Sequence, residues 1–230
     1  MFDIPVEDLL RSFEGDAPGI ILLSLRVSLT AVVFASLLGL PLGALVAVVR
    51  FPGRALVVTA LNALMGLPAV LVGLIVYLSL SRSGPLGSFG LLFTPAAMII
   101  AQTFLTTPLI AALTRQTVED AWERHSGILR SLRLSLPARV RVLLWDCRFS
   151  VLAAVLAGLG RAMSEVGTVM IVGGNIDGFT RVMTTAIALE TSKGDLPLAV
   201  TLGLVLMTLV LLLNAIVSAV RGFAMKRHGG

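Results

Sequence analysis

Two charged side chains, Arg161 and Glu165, stand inside an otherwise apolar stretch of this 230-residue chain, and a spacing of four would place them on one helical face. A lone charge at membrane depth costs at least a few kcal/mol. Two readings therefore stand side by side: an ion pair that fixes helix packing, or a cation with its compensating carboxylate lining a path or gate for an anion. A second group is GGNIDGFTR, residues 173–181. There Gly174, Asn175, Thr180 and Arg181 could offer donors to an anion, or form an ordinary turn. A third is the segment 115–148, with seven arginines, Trp122 and Trp145. Groups that make or break bonds are missing from the pattern. His125 and His228 lack the spacing of metal ligands, Cys147 is the single cysteine, and no phosphate-cradling Gly-x-x-x-x-Gly-Lys loop occurs. The expectation is a chain with no catalytic residue, no cofactor, no metal and no ATPase activity of its own.

The elements that must position these groups follow from composition. Hydrophobic residues make up 57% of the chain and charged residues 13%, against roughly half and a quarter in soluble domains. A soluble enzyme is excluded, and lipid is the solvent for much of the surface. Apolar runs recur at 27–49, 55–81, 83–114, 149–176 and 196–220. Each exceeds the ~20 helical residues that cross a hydrocarbon core, and backbone groups in lipid must be satisfied within the segment. The fold class expected is an all-α, polytopic membrane bundle of five spans. Pro68 and Pro108 are expected to kink the second and third, and Gly39 and Gly43 form a G-x-x-x-G pair suited to close helix approach.

Sorting charges by connection orients the bundle. Twelve basic residues flank the runs on one side and four on the other, whereas eight acids lie on the second side and four on the first. The basic side is cytoplasmic by the positive-inside rule, which puts the N-terminus outside and the C-terminus in. The basic surplus is thus a topology signal, not a nucleic-acid surface. The acidic start of the chain is the opposite of a secretory signal, and no cleaved leader is expected. On the outer side, 182–189 is too short to cross a bilayer and is expected to lie at the interface or re-enter.

The inner connection is the other long one. Thr117 is expected to cap a helix that Gly127 ends; Ile128, Leu129, Leu132 and Leu136 then form an apolar stripe opposed by Arg130 and Arg133, and Pro137 marks a new start. Such a helix would dock into a groove on a cytoplasmic partner or lie flat on anionic lipid.

The order of spans, that loop before the fourth, GRAMSEVG at 160–167 and VMIVGGNIDGFTRVMTTAIALETSKGD at 169–195 together resemble the permease subunits of type I ABC importers, nearest to those for tungstate, molybdate and sulfate. The resemblance implies a permease domain over 22–219, between an outer segment at 1–18 and a basic inner tail at 220–230. It also implies a homodimer, two cytoplasmic ATPase subunits, and an extracytoplasmic oxyanion-binding protein, with tungstate the first expectation, molybdate next and sulfate third. In that family a loop of form Glu-Ala-Ala, three residues, Gly couples the permease to its ATPase. Aligned on RSLRLS, its Glu-Ala-Ala falls on Gly127, Ile128 and Leu129, and its Gly on Arg133, so both signature residues are replaced. The coupling residues this implies are Gly127, Ile128, Leu129, Arg130, Leu132, Arg133 and Leu136. The alternative from another class is an ATP-independent anion channel or carrier.

Overall fold

The computed structural model describes residues 17–228; the expected outer segment lies outside the described residues up to position 16, as do residues 229 and 230 and the side chains of 217 and 220–228. Among the described residues there are nine α-helices and no strand. They are α1 (Ala17–Val48), α2 (Arg54–Met65), α3 (Ala69–Leu80), α4 (Pro95–Ser131), α5 (Leu136–Asp146), α6 (Arg148–Met163), α7 (Gly167–Gly173), α8 (Met183–Lys193) and α9 (Leu196–His228). Three are long and apolar enough to cross a membrane alone, namely α1, α4 and the 196–216 part of α9, and two bent pairs raise the count to as many as five.

The 55–81 run is not one rod. It divides into α2 and α3, which bend by 99° across Gly66, Leu67 and Pro68. Pro68 has no N–H and bars its predecessor from helical geometry, while the N–H groups of Gly66 and Leu67 turn back to Ala63 and Leu64 in tightened 3₁₀ fashion. The 149–176 run is divided as well: α6 stops at Met163 and the chain resumes as α7 at Gly167. Pro108, by contrast, sits inside an unbroken α4.

Helix α4 is the axis of the molecule. Thr94 accepts the Ala97 N–H and Pro95 occupies the first turn, a sequence built to start a helix. The helix then runs 37 residues, about 55 Å. Along most of that length it packs on α1, and the G-x-x-x-G pair is the reason. A Cβ on Gly43 would lie 2.3 Å from the Ala111 carbonyl, and one on Gly39 3.0 Å from that of Thr107, so the two backbones touch. Gly158 of α6 closes on Ile110 and Thr106 from the other side, with 2.9 Å left for a Cβ. Val32, Ala35, Ile110, Leu159 and Ala162 fill this junction. Toward the other end Val76, Met98, Ala101, Val169 and Val172 join α3, α4 and α7.

The long inner connection departs from expectation. Thr117 is mid-helix and caps nothing, and Gly127 ends nothing: α4 continues to Ser131. Val118, Ala121, Trp122 and Leu129 keep one helical face packed against α1 and α5, and that burial outweighs a single glycine. The new start at Pro137 is found, in the first turn of α5. Helix α8 covers 183–193 and buries Met183 and Ala186 against α1 and α9, a short helix held at one end of the bundle. Apolar side chains such as Leu37 on α1, Leu74 on α3 and Leu211 on α9 face outward. Helix α9 continues past residue 220 to His228.

Candidate functional site

Arg161 and Glu165 do not pair. The helix that would have aligned them ends at Met163, and each has a different fate. Glu165 is 9% exposed, and its Oε1 accepts the Thr168 N–H at 3.1 Å, satisfying one of the orphan donors at the start of α7. Arg161 is half-buried, with no side-chain hydrogen bond or ion pair among the described residues. Ser150, Ala157 and Arg161 fall on one side of α6, with Ser164 at its C-terminal cap; all but the half-buried Arg161 are exposed.

The interruption at 164–166 is instead held by groups from three other elements. Gln102 Nε2 of α4 donates to the Ala162 carbonyl at 3.0 Å, and the Thr184 hydroxyl of α8 donates to the Glu165 carbonyl at 2.8 Å. From α7 itself, the Thr168 hydroxyl donates to the carbonyl of Ala69, the first residue of α3, at 2.6 Å. The two interrupted segments therefore meet at their breaks. Glycines permit the contact: a Cβ on Gly73 would sit 3.0 Å from Thr168 Cα, and one on Gly167 2.8 Å from Val70. Non-helical backbone at membrane depth persists only where protein or an aqueous cavity satisfies it, and here side chains do so. Gln102, Thr168 and Thr184 were not singled out by sequence reasoning. The available signal was polarity inside apolar runs, and Gln102 is the one amide in the run 83–114. A crevice of about 530 Å³ flanks the α2–α3 break, with Leu67, Val76, Phe104 and Pro108 among its walls. Its lining is apolar apart from Ser79, whose hydroxyl donates to the Ile75 carbonyl.

Beside the start of α1 the GGNIDGFTR loop is built mainly for its own geometry. Thr180, 1% exposed, donates to the Gly173 carbonyl at 2.6 Å and accepts the Ile176 N–H at 2.9 Å, so its hydroxyl is used up inside the loop and is not offered to a ligand. Gly174 and Asn175 take positive φ of 71° and 50°, as a tight reversal demands. Arg181 pairs with Asp177 at 2.8 Å, four residues back, beside a cavity of about 580 Å³ against Gly19, Ile20 and Leu23 of α1.

At the other end of the bundle, α5 and the last turns of α4 form one knob. Leu129 is 5% exposed and packs with Trp122 and Leu143, whereas its neighbours Ile128 and Leu132 are 63% and 61% exposed. Leu129 is thus core and leaves the set of residues able to touch a partner. Arg130 lies over Trp122, 5.6 Å from the ring centroid, and Arg133 takes φ 46° in the turn that follows. Gly127, inside the helix, has open space where a Cβ would be. Glu119 of α4 binds Arg115 on its own helix and Arg54 of α2 at once, and Arg54 Nε also donates to the Val46 carbonyl of α1 at 2.8 Å. Cys147, at the bend between α5 and α6, donates weakly to the Thr117 carbonyl; burial, reinforced by the Asp146 carboxylate, pushes its thiol pKa up.

Among the described residues the regular structure is all helical, with interrupted apolar segments meeting in the interior and an ordered knob on the longest helix, which defines a polytopic membrane protein. No protein-family profile matches the chain. It is 41% identical over 210 residues, 91% of its own length and 92% of the other's, to the tungstate uptake system permease protein TupB of Peptoclostridium acidaminophilum. It is 40% identical over 90% of its length, and 91% of the other's, to a probable anion ABC transporter permease protein of Haloferax volcanii. It is 28% identical over 76% of its length, and 81% of the other's, to the molybdenum transport system permease protein ModB of Escherichia coli. The chain belongs to the ABC transporter permease family, whose members are transport subunits and not enzymes.

Proposed function

We propose that this chain is the permease subunit of an ATP-driven tungstate importer. The observation that carries the reading is the 41% identity, over 91% of this chain and 92% of the other, to a tungstate uptake permease. Two copies enclose the pathway in this reading, because the crevice beside the breaks is apolar and the open side of α6 presents Ser150, Arg161 and Ser164, groups ill suited to lipid. Arg161 supplies positive potential along that wall, and Glu165 acts as a cap on α7 and not as a ligand. The N-terminus is outside, the GGNIDGFTR loop faces a tungstate-binding protein, and Leu132, Arg133 and Leu136 face the ATPase. ATP-driven closure of the ATPase pair moves the knob, and the spans open outward to take the anion and inward to release it. Each state needs only different contacts with its partners, so a tight site in this chain is unnecessary.

The test is uptake into vesicles containing the chain with its ATPase and binding protein. Tungstate accumulation that requires ATP, and is competed less well by molybdate and sulfate, is the expected result. Uptake by the chain alone, without ATP, would establish the channel or carrier reading instead.

A further inference from the structure

We propose that the groove between α1 and α5 holds an anionic phospholipid, with an acyl chain along its apolar walls and the phosphate at Arg141; this needs only a chain that spans a membrane and not the transport reading above. The groove is about 870 Å³, within the roughly 300–1,000 Å³ of sites that hold small molecules. Pro41 and Leu45 of α1 form one wall, and Val140, Arg141, Leu144 and Trp145 of α5 form the other. These α5 positions recur at the spacing of one helical face, while Leu143, on another face, is buried in the core.

The position of the groove opens it to lipid. Pro41 and Leu45 belong to the uncharged run 27–49, so their wall lies at hydrocarbon depth, shortly before Arg50 ends the run. Helix α5 meets α6 at 81°, and α6 carries the next apolar segment into the bundle. Helix α5 therefore lies across the end of that segment, close to the membrane surface. Trp145, 71% exposed, is then at the depth that indole favours, where the ring meets hydrocarbon and the N–H meets water. An apolar groove between a spanning wall and a wall lying in the surface is filled from the lipid around it.

Charge selects which lipid. Arg141 is exposed, has no hydrogen bond or ion pair among the described residues, and shares the groove with no acid. Asp146, the one acid of α5, turns to His125 of α4, 3.8 Å from its Nδ1, and Glu123 stands on α4, which contributes nothing to the lining. Just past the bend, the Arg148 guanidinium lies 5.3 Å from the Trp145 ring centroid and 4.6 Å from that of Phe149, a second positive charge beside the tryptophan. A guanidinium above an apolar wall matches a phosphate carried on an acyl chain. A zwitterionic headgroup offers the same phosphate together with a cation that both arginines repel.

The two tryptophans make occupancy measurable, because Trp122 is buried in the knob and Trp145 lines the groove. In bilayers of unlabelled phosphatidylcholine, phosphatidylglycerol brominated on its acyl chains should quench Trp145 fluorescence at about one fifth of the concentration that brominated phosphatidylcholine needs, and KCl should narrow the difference. Trp145→Phe should leave only the weak quenching of Trp122. Arg141→Gln, at an exposed position, should leave the melting temperature in zwitterionic lipid unchanged and abolish the preference for phosphatidylglycerol, and Arg141→Lys should keep most of it. Equal quenching of the unaltered chain by the two lipids, or a preference that survives Arg141→Gln, would overturn the site. Loss of the quenching when the chain is assembled with an ATPase subunit would show that protein covers the groove, and would overturn lipid as its occupant.

Discussion

Leu129 in the last turn of α4 and Leu132 just past its end are three residues apart and identical in chemistry, yet one is buried and the other exposed. Periodicity alone cannot separate them, because whether a side chain at the end of a stripe is covered depends on where α5 folds back. Leu129→Asp buries a carboxylate against Trp122 and Leu143 and is expected to abolish recovery of folded protein. Leu132→Asp should leave the melting temperature within a few degrees and reduce only ATPase co-purification; comparable loss of fold in both would contradict this division. Cys147 offers a second check. Because burial disfavours its thiolate, maleimide labelling of the folded chain at pH 7 should be much slower than in denaturant and should rise as pH passes the ordinary cysteine range. The same raised pKa means that the thiol contributes stability below that range, and that this contribution is lost as pH rises through it. For Arg161 and Glu165 a spacing of four implied one helical face, but their pairing required a helix that continues, and it stops two residues before the carboxylate.

Elements were legible where local chemistry decides and opaque where packing does. The apolar runs, the Pro68 interruption and the Pro137 start were all readable, since proline acts on its own backbone. The stop at 164–166 was not, because Ser, Glu and Val end helices only when something else holds the freed carbonyls, and Gln102 and Thr184 come from far away in sequence. Thr168→Val, which deletes the tie between the two breaks, is expected to cost about 1 kcal/mol in thermal unfolding and to lower transport more than assembly. Glycines provide the sharpest contrast. Gly43→Ala forces a methyl against the Ala111 carbonyl and should destabilise by about 1–3 kcal/mol. Gly127→Ala, in the open interior of α4, should stabilise by about 0.5–1 kcal/mol. A loss at position 127 would restore the turn that glycine there first suggests.

At the scale of the whole molecule the few charges carried most of the information, since lipid makes each one expensive and so confines it. The orientation they imply predicts that a cysteine at exposed Asp177 reacts with an impermeant reagent added outside intact cells, and one at exposed Arg133 only after the membrane is opened. The reverse pattern would invert the topology. What charge and composition could not convey is how the parts bear on one another, and there the crossing of α1 and α4 matters most. Gly43 meets Ala111, the seventeenth of the 37 residues of α4. The same seam continues through Thr107 on one side and Val118 on the other, so α4 does not pivot on one point. The two helices form one stiff body, and a push on the Ser131 end is carried along both of them together.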